Sequence, residues 1–308
     1  MTNSTGRRPL ILVTGGTGKT GSRIVTRLRQ SWHPVRIGSR TATIPFDWED
    51  RDTWAPALSG VYAVYIAYQP DLAVPSAPIA IRRFAAAAKA AGVRKLVLLS
   101  GRGEPEALEC EQIVRDSGVD WTVVRCSFFA QNFSEGAFTD YVLAGEVALP
   151  NGDVPEPFVH VDDIADVAVA ALTEDGHKGE VYELTGPRAL TFAEAVAEIA
   201  AATAREIAYI PLSRTDFIAA LTEYQFPADV VSLLDYLFGT VLDGRNSATT
   251  DGVHRALGRQ PKDFSEYVRD AAVSGVWNTP GPVTGCYCDN AEACVWKYRQ
   301  PHRSSAVE

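Results

Sequence analysis

Near the start of the chain, four glycines fall within seven residues directly after a short apolar stretch. Residues 10–14 lead into Gly15-Gly16-Thr17-Gly18-Lys19-Thr20-Gly21, and a segment with helical spacing follows to residue 30. In such a strand–turn–helix, the glycines permit a tight turn, close approach of the backbone to a pyrophosphate, and close packing of helix on strand. The free N–H groups at the helix start would face the phosphates. The sequence therefore predicts a dinucleotide-binding loop.

The same loop ends in Gly18-Lys19-Thr20, which resembles the end of a nucleoside-triphosphate-binding P-loop. A P-loop also needs a glycine five residues before its second glycine. Position 13 is a valine that lies inside the predicted strand. The spacing thus disfavours a nucleoside triphosphatase.

Apolar β-branched runs alternate with helix-period segments through the first 185 residues, which is typical of βαβ units around a buried parallel sheet. The predicted strands are residues 10–14, 34–38, 61–67, 95–99, 121–125 and 180–184. The predicted helices are residues 21–30, 79–91, 107–117 and 163–173, with Gly92 and Gly118 at helix C-termini. The pattern predicts an α/β fold with a doubly wound, Rossmann-like parallel sheet.

The pattern of predicted elements changes after Gly186, from alternating strands and helices to helices. Thr191 and Glu194 form a capping box that opens a helix to about residue 203, and apolar residues between 230 and 241 mark another helix. We predict a dinucleotide-binding domain over residues 1–186, a smaller, mostly helical substrate-side lobe over residues 187–277, and an appended mobile tail over residues 278–308.

Charge and cysteine content restrict the partners and the compartment. Lys and Arg number 29 against 38 Asp and Glu, a net charge of −9, so neither nucleic acid nor a membrane is an expected partner. The N-terminal apolar run is too short for a signal peptide. The five cysteines are an odd number, which favours reduced thiols in the cytoplasm. The tail group Cys286, Cys288, Cys294 and His302 matches no common zinc spacing, so no metal site is predicted.

The end of the second predicted strand indicates which dinucleotide binds. An NAD site places an acidic residue about 20 positions after the loop, on the ribose 2′-hydroxyl. No Asp or Glu occurs between Gly21 and Phe46; the strand ends instead in Ser39 and Arg40, a hydroxyl and a guanidinium suited to a 2′-phosphate. Arg40 as a solvated loop charge is the alternative. The sequence predicts NADPH as the cofactor in preference to NADH.

With these features the chain resembles the NmrA-like branch of the atypical short-chain dehydrogenases/reductases, over about residues 9–277. The resemblance rests on the glycine loop, Phe46-Asp47-Trp48 after a short third strand, and residues 95–101, 125–133, 158–166 and 182–187. It implies that residues 15–21, Arg40 and Asp47 contact the cofactor's phosphates and adenosine. It also implies that the loops after Tyr68 and Ser100, and the segment containing Phe129, flank the nicotinamide. A homodimer is one assembly that remains open.

Ordinary short-chain dehydrogenases use a Tyr with a Lys four residues later, where the Lys lowers the phenol pKa for proton transfer. None of the 11 tyrosines has a Lys at that spacing. Related quinone reductases carry a Lys where this chain has Gln112. A quinone or another extended conjugated acceptor does not require a dedicated proton donor from the protein, because hydride addition generates a stabilised anion. The missing pair therefore favours such acceptors.

Three polar side chains are candidates for catalysis, each with a plainer alternative. Ser100 ends the fourth long strand, at the sheet edge where ligands bind, or caps the next turn. His160 is a candidate proton donor, or packs in a loop before a helix that Asp163 is expected to cap. Tyr224 belongs to a group of aromatic residues that are mostly expected in the core, although any that line a cleft would suit a flat ligand.

The sequence thus predicts an NADPH-dependent reductase that delivers hydride to a quinone, an enone or a similar aromatic, polyketide-like small molecule. Two alternatives remain. One is a non-catalytic regulator that binds the dinucleotide to report redox state. The other is a lyase or epimerase-type tailoring enzyme that holds a nicotinamide cofactor.

Overall fold

A computed structural model describes residues 8–136 and 138–278. Its strands are β1 (Ile11–Thr14), β2 (Val35–Gly38), β3 (Ala63–Ile66), β4 (Lys95–Gly101), β5 (Asp120–Cys126), β6 (Glu146–Leu149), β7 (Val181–Leu184) and β8 (Ala208–Pro211). Its α-helices are α1 (Lys19–Gln30), α2 (Trp54–Leu58), α3 (Ala77–Ala90), α4 (Pro105–Arg115), α5 (Thr139–Ala144), α6 (Val161–Thr173), α7 (Phe192–Thr203), α8 (Arg214–Glu223), α9 (Ala228–Tyr236), α10 (Gly252–Leu257) and α11 (Phe264–Ser274). Short 3₁₀ turns lie at Arg51–Thr53 and Ala130–Phe133, and a π-helical turn follows α9 at Leu237–Val241.

Six parallel strands form the central sheet in the order β2-β1-β3-β4-β5-β7. Alternate side chains of each strand point to opposite faces. Leu12, Val64 and Leu96 face the side covered by α2, α3 and α4, whereas Val13 and Val97 face the side covered by α1 and α6. Both faces of the sheet are therefore buried under helices, and the predicted doubly wound α/β fold is confirmed.

The six predicted strands all occur, and their ends agree with the prediction to within two residues. The short third strand expected before Phe46 is wrong, since residues 39–62, all described, include no strand. Pro45 has no N–H to donate to a ladder, and the Phe46 N–H donates to the Ser39 carbonyl, which folds the segment back on β2. The Phe46 side chain is buried among Trp48, Trp54 and Phe84.

A second hydrophobic cluster lies beside the sheet and joins segments from two parts of the chain. Phe133 and Phe138 pack there against Phe192, Phe238 and Phe264. The predicted helices of this lobe are present as α7 and α9, and β6 pairs with β8 in a small parallel sheet that the sequence pattern did not indicate. The domain boundary at residue 186 stays a prediction.

No helix in residues 8–136 and 138–278 is long and apolar enough to cross a membrane. Within the same residues, no group of three or more His, Cys, Asp or Glu side chains is placed to hold a metal ion. The tail residues Cys286, Cys288, Cys294 and His302 lie outside the described part of the chain.

Candidate functional site

A cavity of about 700 Å³ opens at the carboxyl ends of β1, β3, β4 and β5. The loops that follow these four strands form its floor. Leu237, Val241, Leu242 and Asn246, from beyond α9, line its other side. In an open α/β sheet, ligands bind where the strand order reverses, which is here between β1 and β3. The cavity therefore lies at the position where this fold binds ligands.

The glycine loop forms one end of this cleft. Gly15 adopts a left-handed backbone (φ +61°), and any Cβ on Gly21 would overlap the Gly15 carbonyl, so both positions require glycine. Gly18 precedes α1, and no side chain of the described residues caps the N–H groups of this helix. These donors and the bare Gly18 Cα border the cleft. The loop fits a pyrophosphate, because a phosphate would satisfy N–H groups that otherwise lack a partner.

Lys19 adds positive charge at the same end of the cleft. Its Nζ donates a hydrogen bond to the Asn132 side-chain oxygen at 2.7 Å. Burial lowers the pKa of this ammonium, while the nearby Glu135 carboxylate raises it. The first turn of α1 contains no acidic side chain to oppose an incoming anion.

The cleft brings together most of the predicted cofactor residues. Those that line it are Gly15, Thr17, Gly18, Lys19, Thr20, Tyr68, Ser100 and Phe129. The Tyr68 ring packs edge-on against Trp48 at a centroid distance of 5.1 Å, and Phe128 lies beside Phe129 in the same wall. Their role as cofactor contacts stays a prediction.

Four other predicted cofactor residues lie outside the residues that line the cleft. Gly16 is beneath the loop, where its N–H donates to the Gly38 carbonyl at 3.4 Å. Ser39 and exposed Arg40 follow directly at the end of β2. The Asp47 carboxylate accepts a hydrogen bond from the Glu49 N–H at 3.1 Å. The preference for NADPH over NADH therefore rests on sequence position and stays a prediction.

The Ser100 side chain belongs to a buried network of charged groups on the floor of the cleft. Its hydroxyl donates to Glu111 Oε1 at 2.8 Å, and Arg125 binds both oxygens of the same carboxylate at 2.9 and 2.6 Å. Arg125 also donates to Glu183 on β7 at 3.1 Å. Because the one hydroxyl proton of Ser100 is already donated, its free capacity toward a ligand is that of an acceptor.

Of the four described carboxyl groups that line the cleft, two are buried, and we did not identify either in the sequence. Glu104 is 7% exposed and Glu156 is 3% exposed. Burial raises the pKa of Glu104 to about 8, with Asp71 and Glu106 adding repulsion, and burial raises the pKa of Glu156 to about 7. The only sequence signal for Glu104 is its place just after β4, at the edge where ligands bind.

His160 lies away from the main cleft, beside a smaller cavity of about 220 Å³. It precedes α6, and its Nδ1 accepts a hydrogen bond from the Asp162 N–H at 3.0 Å, so His160 caps this helix. Burial lowers the pKa of its ring. The expectation that Asp163 caps this helix is wrong, because α6 begins two residues earlier and Asp163 is buried against Arg259 and the Lys262 N–H.

The remaining predicted polar residues also lie apart from the cleft. Tyr224 ends α8 with 60% of its surface exposed, and the structure does not bring it to Ser100. Gln112 is exposed on α4, where its amide donates to Asp116 at 3.0 Å. The acidic and aromatic part of the cleft is lined instead by Glu104, Glu156 and Phe128.

A glycine loop at the switch point of the sheet, opening into a cleft, is the arrangement of a dinucleotide-binding protein. Residues 15–175 match the model of a family described as NAD(P)H-binding. The chain belongs to this family, and its predicted place in the NmrA-like group of atypical short-chain dehydrogenases/reductases is confirmed. The predicted class, an NAD(P)H-dependent oxidoreductase, is also confirmed.

Three similar proteins illustrate the range of this group. A (4-alkanoyl-5-oxo-2,5-dihydrofuran-3-yl)methyl phosphate reductase of Streptomyces griseus is 33% identical over 288 residues, covering 85% of this chain and 98% of the relative. The NAD(P)H azoreductase of Xenophilus azovorans is 30% identical over 293 residues, covering 86% and 99%. The solved structure of the NADPH-dependent quinone oxidoreductase QOR2 of Escherichia coli, complexed with NADPH, superposes with a TM-score of 0.71 at 25% identity, covering 84% and 99%.

Proposed function

We propose that this chain is an NADPH-dependent reductase that transfers hydride to a planar, conjugated acceptor such as a quinone or an enone. The observation that carries the proposal is the continuity of the cleft. A loop suited to phosphate lies in one part of the cleft, and aromatic and acidic side chains line another part of it. A nicotinamide cofactor whose pyrophosphate lies at Gly18 and Lys19 would extend along the floor toward Ser100.

The chain's own residues hold and enclose the reactants. Gly15, Gly18 and the first N–H groups of α1 bind the pyrophosphate, and Lys19 neutralises part of its charge. The bound cofactor supplies a hydride to the acceptor. Leu237 and Leu242 place apolar side chains beside the site, which reduces the contact of the reactants with water. Tyr68 and Phe129 flank the region where the two rings meet.

The shape and chemistry of the pocket favour a flat acceptor. Phe128 lines it and stacks on the buried Phe138 ring, with 6.0 Å between centroids and 7° between planes. A wall of this kind buries a planar conjugated system well and offers little to a sugar. The names of the relatives agree with this class, since they describe reduction of an azo compound, a quinone and an unsaturated lactone.

Selectivity for NADPH is proposed to come from the end of β2. Ser39 and Arg40 stand where an NAD site carries a carboxylate. A guanidinium–phosphate contact contributes about 1.5–3 kcal/mol, which is about one to two decades in affinity. We expect Arg40→Ala to lose most of the preference for NADPH over NADH. Calorimetric titration of the unaltered protein and of Arg40→Ala with each cofactor measures this preference. Equal binding of the two cofactors by the unaltered protein would refute the proposal.

Oxidation of NADPH in the presence of a simple water-soluble quinone tests the reductase itself. The matched variant is Gly18→Val, whose backbone conformation any residue adopts (φ −82°, ψ −178°) but whose side chain would fill the phosphate site. We expect turnover by the unaltered protein and loss of cofactor binding in a folded Gly18→Val. Tight NADPH binding without oxidation by any quinone, enone or azo compound would favour the regulator instead.

We propose the cytoplasm as the location of this reductase. Cys110 and Cys126 are both buried and form no disulfide. Burial raises the pKa of the Cys110 thiol to about 12 and holds that of Cys126 well above its usual value, so both remain protonated and unreactive.

A further inference from the structure

We propose that Glu104 is the proton donor of this reductase, delivering its carboxyl proton to the acceptor heteroatom as hydride adds to carbon. The inference rests on the proposed function and assigns the acid that the missing Tyr/Lys pair leaves open. The inference comes from the position of the Glu104 side chain, which is buried, lines the cleft and has a carboxyl oxygen without a partner among the described residues.

Glu104 stands between the end of β4 and the first residue of α4. Its side chain turns away from the helix, which it does not cap, and lies against Gly101. A Cβ on Gly101 would overlap the Glu104 carboxyl group, so the glycine leaves the space that this group occupies. Glu104 Oε2 has no hydrogen-bond partner among the described residues, although the side chain is only 7% exposed. A buried polar oxygen without a partner is costly, and the cost is larger for a charged carboxylate, so this position favours a neutral carboxyl group on a residue that lines the cleft.

Burial, together with the charges around it, keeps Glu104 protonated. Asp71 approaches from the loop after β3 and Glu106 from α4, and both repel a negative charge on Glu104. From α9, Tyr236 donates to Glu106 at 3.2 Å and brings no positive charge. Nearby Arg102 is held by Glu183 at 2.7 Å and by the carbonyls of Asn246 and Ala248. Burial with these neighbours raises the Glu104 pKa to about 8, so that the group carries its proton at neutral pH.

With an enone as acceptor, proton transfer from Glu104 accompanies hydride addition. A hydride, carrying two electrons, forms a bond to the β-carbon, and the C=C pair shifts to join the α-carbon and the carbonyl carbon. The carbonyl π pair moves onto oxygen, which takes the proton from the Glu104 carboxyl group. The product is an enol, the nicotinamide is oxidised, and Glu104 is left as a carboxylate. Water entering the cleft after product release returns the proton.

The test compares Glu104→Gln with Glu109→Gln, a change at an exposed residue of the adjoining α4 whose carboxylate lies 3.7 Å from Arg82. Glutamine replaces a neutral carboxyl group of the same shape, so we expect Glu104→Gln to fold and to bind NADPH normally. Its kcat should fall by about 10²–10⁴-fold, the contribution of a positioned general acid. Glu109→Gln should retain full kcat, and Glu104→Asp should restore part of the loss.

Two measurements separate proton donation from a purely structural role. The kcat of the unaltered enzyme should decline above about pH 8, whereas the residual kcat of Glu104→Gln should lack this decline. Infrared difference spectra between the unaltered protein and each variant are recorded at pH 7 without cofactor. A protonated carboxyl C=O stretch of the unaltered protein should be lost in Glu104→Gln and retained in Glu109→Gln.

Several outcomes would overturn the assignment. They are a kcat of Glu104→Gln within threefold of the unaltered enzyme, an unchanged decline above pH 8, or no carboxyl band attributable to Glu104. A raised KM confined to cationic acceptors, with kcat unchanged, would assign Glu104 to charge recognition and would also refute proton donation. Absence of turnover by the unaltered enzyme would count against the proposed function, whereas normal turnover by Glu104→Gln would count against Glu104 alone.

Discussion

Two buried glutamates at α4 have opposite surroundings. Glu104 directly precedes this helix, and Glu111 lies within it, seven residues further along the chain. Glu111 is 1% exposed and accepts hydrogen bonds from Ser100 and from two nitrogens of Arg125. Glu104 is 7% exposed, and one of its oxygens has no partner among the described residues.

The difference comes from what the neighbouring strands present at each level. Ser100 pairs with Arg125 and Arg125 with Glu183 across β4, β5 and β7, so a cation lies beneath Glu111. At the level of Glu104 the strands have ended, and the side chain meets Gly101 and the cleft. A buried carboxyl group either keeps its charge beside a partner or keeps its proton. Burial and residue type alone therefore do not fix what a carboxyl group does.

The largest expected effect is on stability, at Glu111. Glu111→Gln leaves the Arg125 guanidinium without its main partner, which costs about 3–5 kcal/mol when one member of a buried ion pair is removed. Denaturant unfolding of this variant beside the exposed Glu109→Gln measures the difference. A loss below about 1 kcal/mol would show that Glu183 alone holds Arg125, and the contrast with Glu104 would fail.

The second effect is the pH dependence of stability, at Glu104. Its folded pKa of about 8 lies above its ordinary value of 4.5, so between these values the folded state holds a proton that the unfolded state has lost. This contribution is complete below pH 4.5 and is lost as pH rises toward 8. The unfolding free energy of Glu104→Gln minus that of the unaltered protein should rise by about 2–3 kcal/mol from pH 5 to pH 7.

Matched unfolding curves at several pH values would check this slope. A difference that stays constant with pH would mean that Glu104 is ionised in the folded protein. The same result would contradict its role as proton donor.

The smallest effect is expected at tyrosine. Tyr236→Phe removes the hydrogen bond to Glu106, worth about 0.5–1.5 kcal/mol. Burial, together with Glu106, raises the pKa of Tyr236 to about 12, which does not suit it to proton donation at neutral pH. We expect kcat to fall less than tenfold, with exposed Tyr224→Phe as the control. A fall of three decades in either variant, with NADPH binding intact, would place the acid on tyrosine instead of Glu104.

The sequence was sufficient for the parts of the molecule that local patterns encode. The six sheet strands and the loop at Gly15–Gly21 follow from apolar runs and glycine spacing over a few residues, and both appear where expected. Thr191 and Glu194 likewise form the predicted capping box. Each of these features depends on neighbours within one or two turns of the chain.

The acidic end of the cleft could not be predicted in this way. Glu156 reaches it from a loop distant in sequence from Glu104, and Asn246 comes from beyond α9. No spacing rule links such positions, because the sheet and the second lobe bring them together only after folding. His160 lies apart from the main cleft for the reverse reason. A motif that suggested proton transfer serves as a local helix cap.

The strand order also determines when the central sheet can be completed during translation. The first five strands in the chain that join the central sheet are complete by Cys126, but the partner for the outer edge of β5 is β7, which emerges only after α5, β6 and α6. Until residues 181–184 leave the ribosome, the edge beside Val123 and Val124 stays unpaired. An open edge of this kind is a template for pairing with other chains. The nascent protein therefore passes through a stage at which slow elongation between Cys126 and Val181 favours aggregation and chaperone binding.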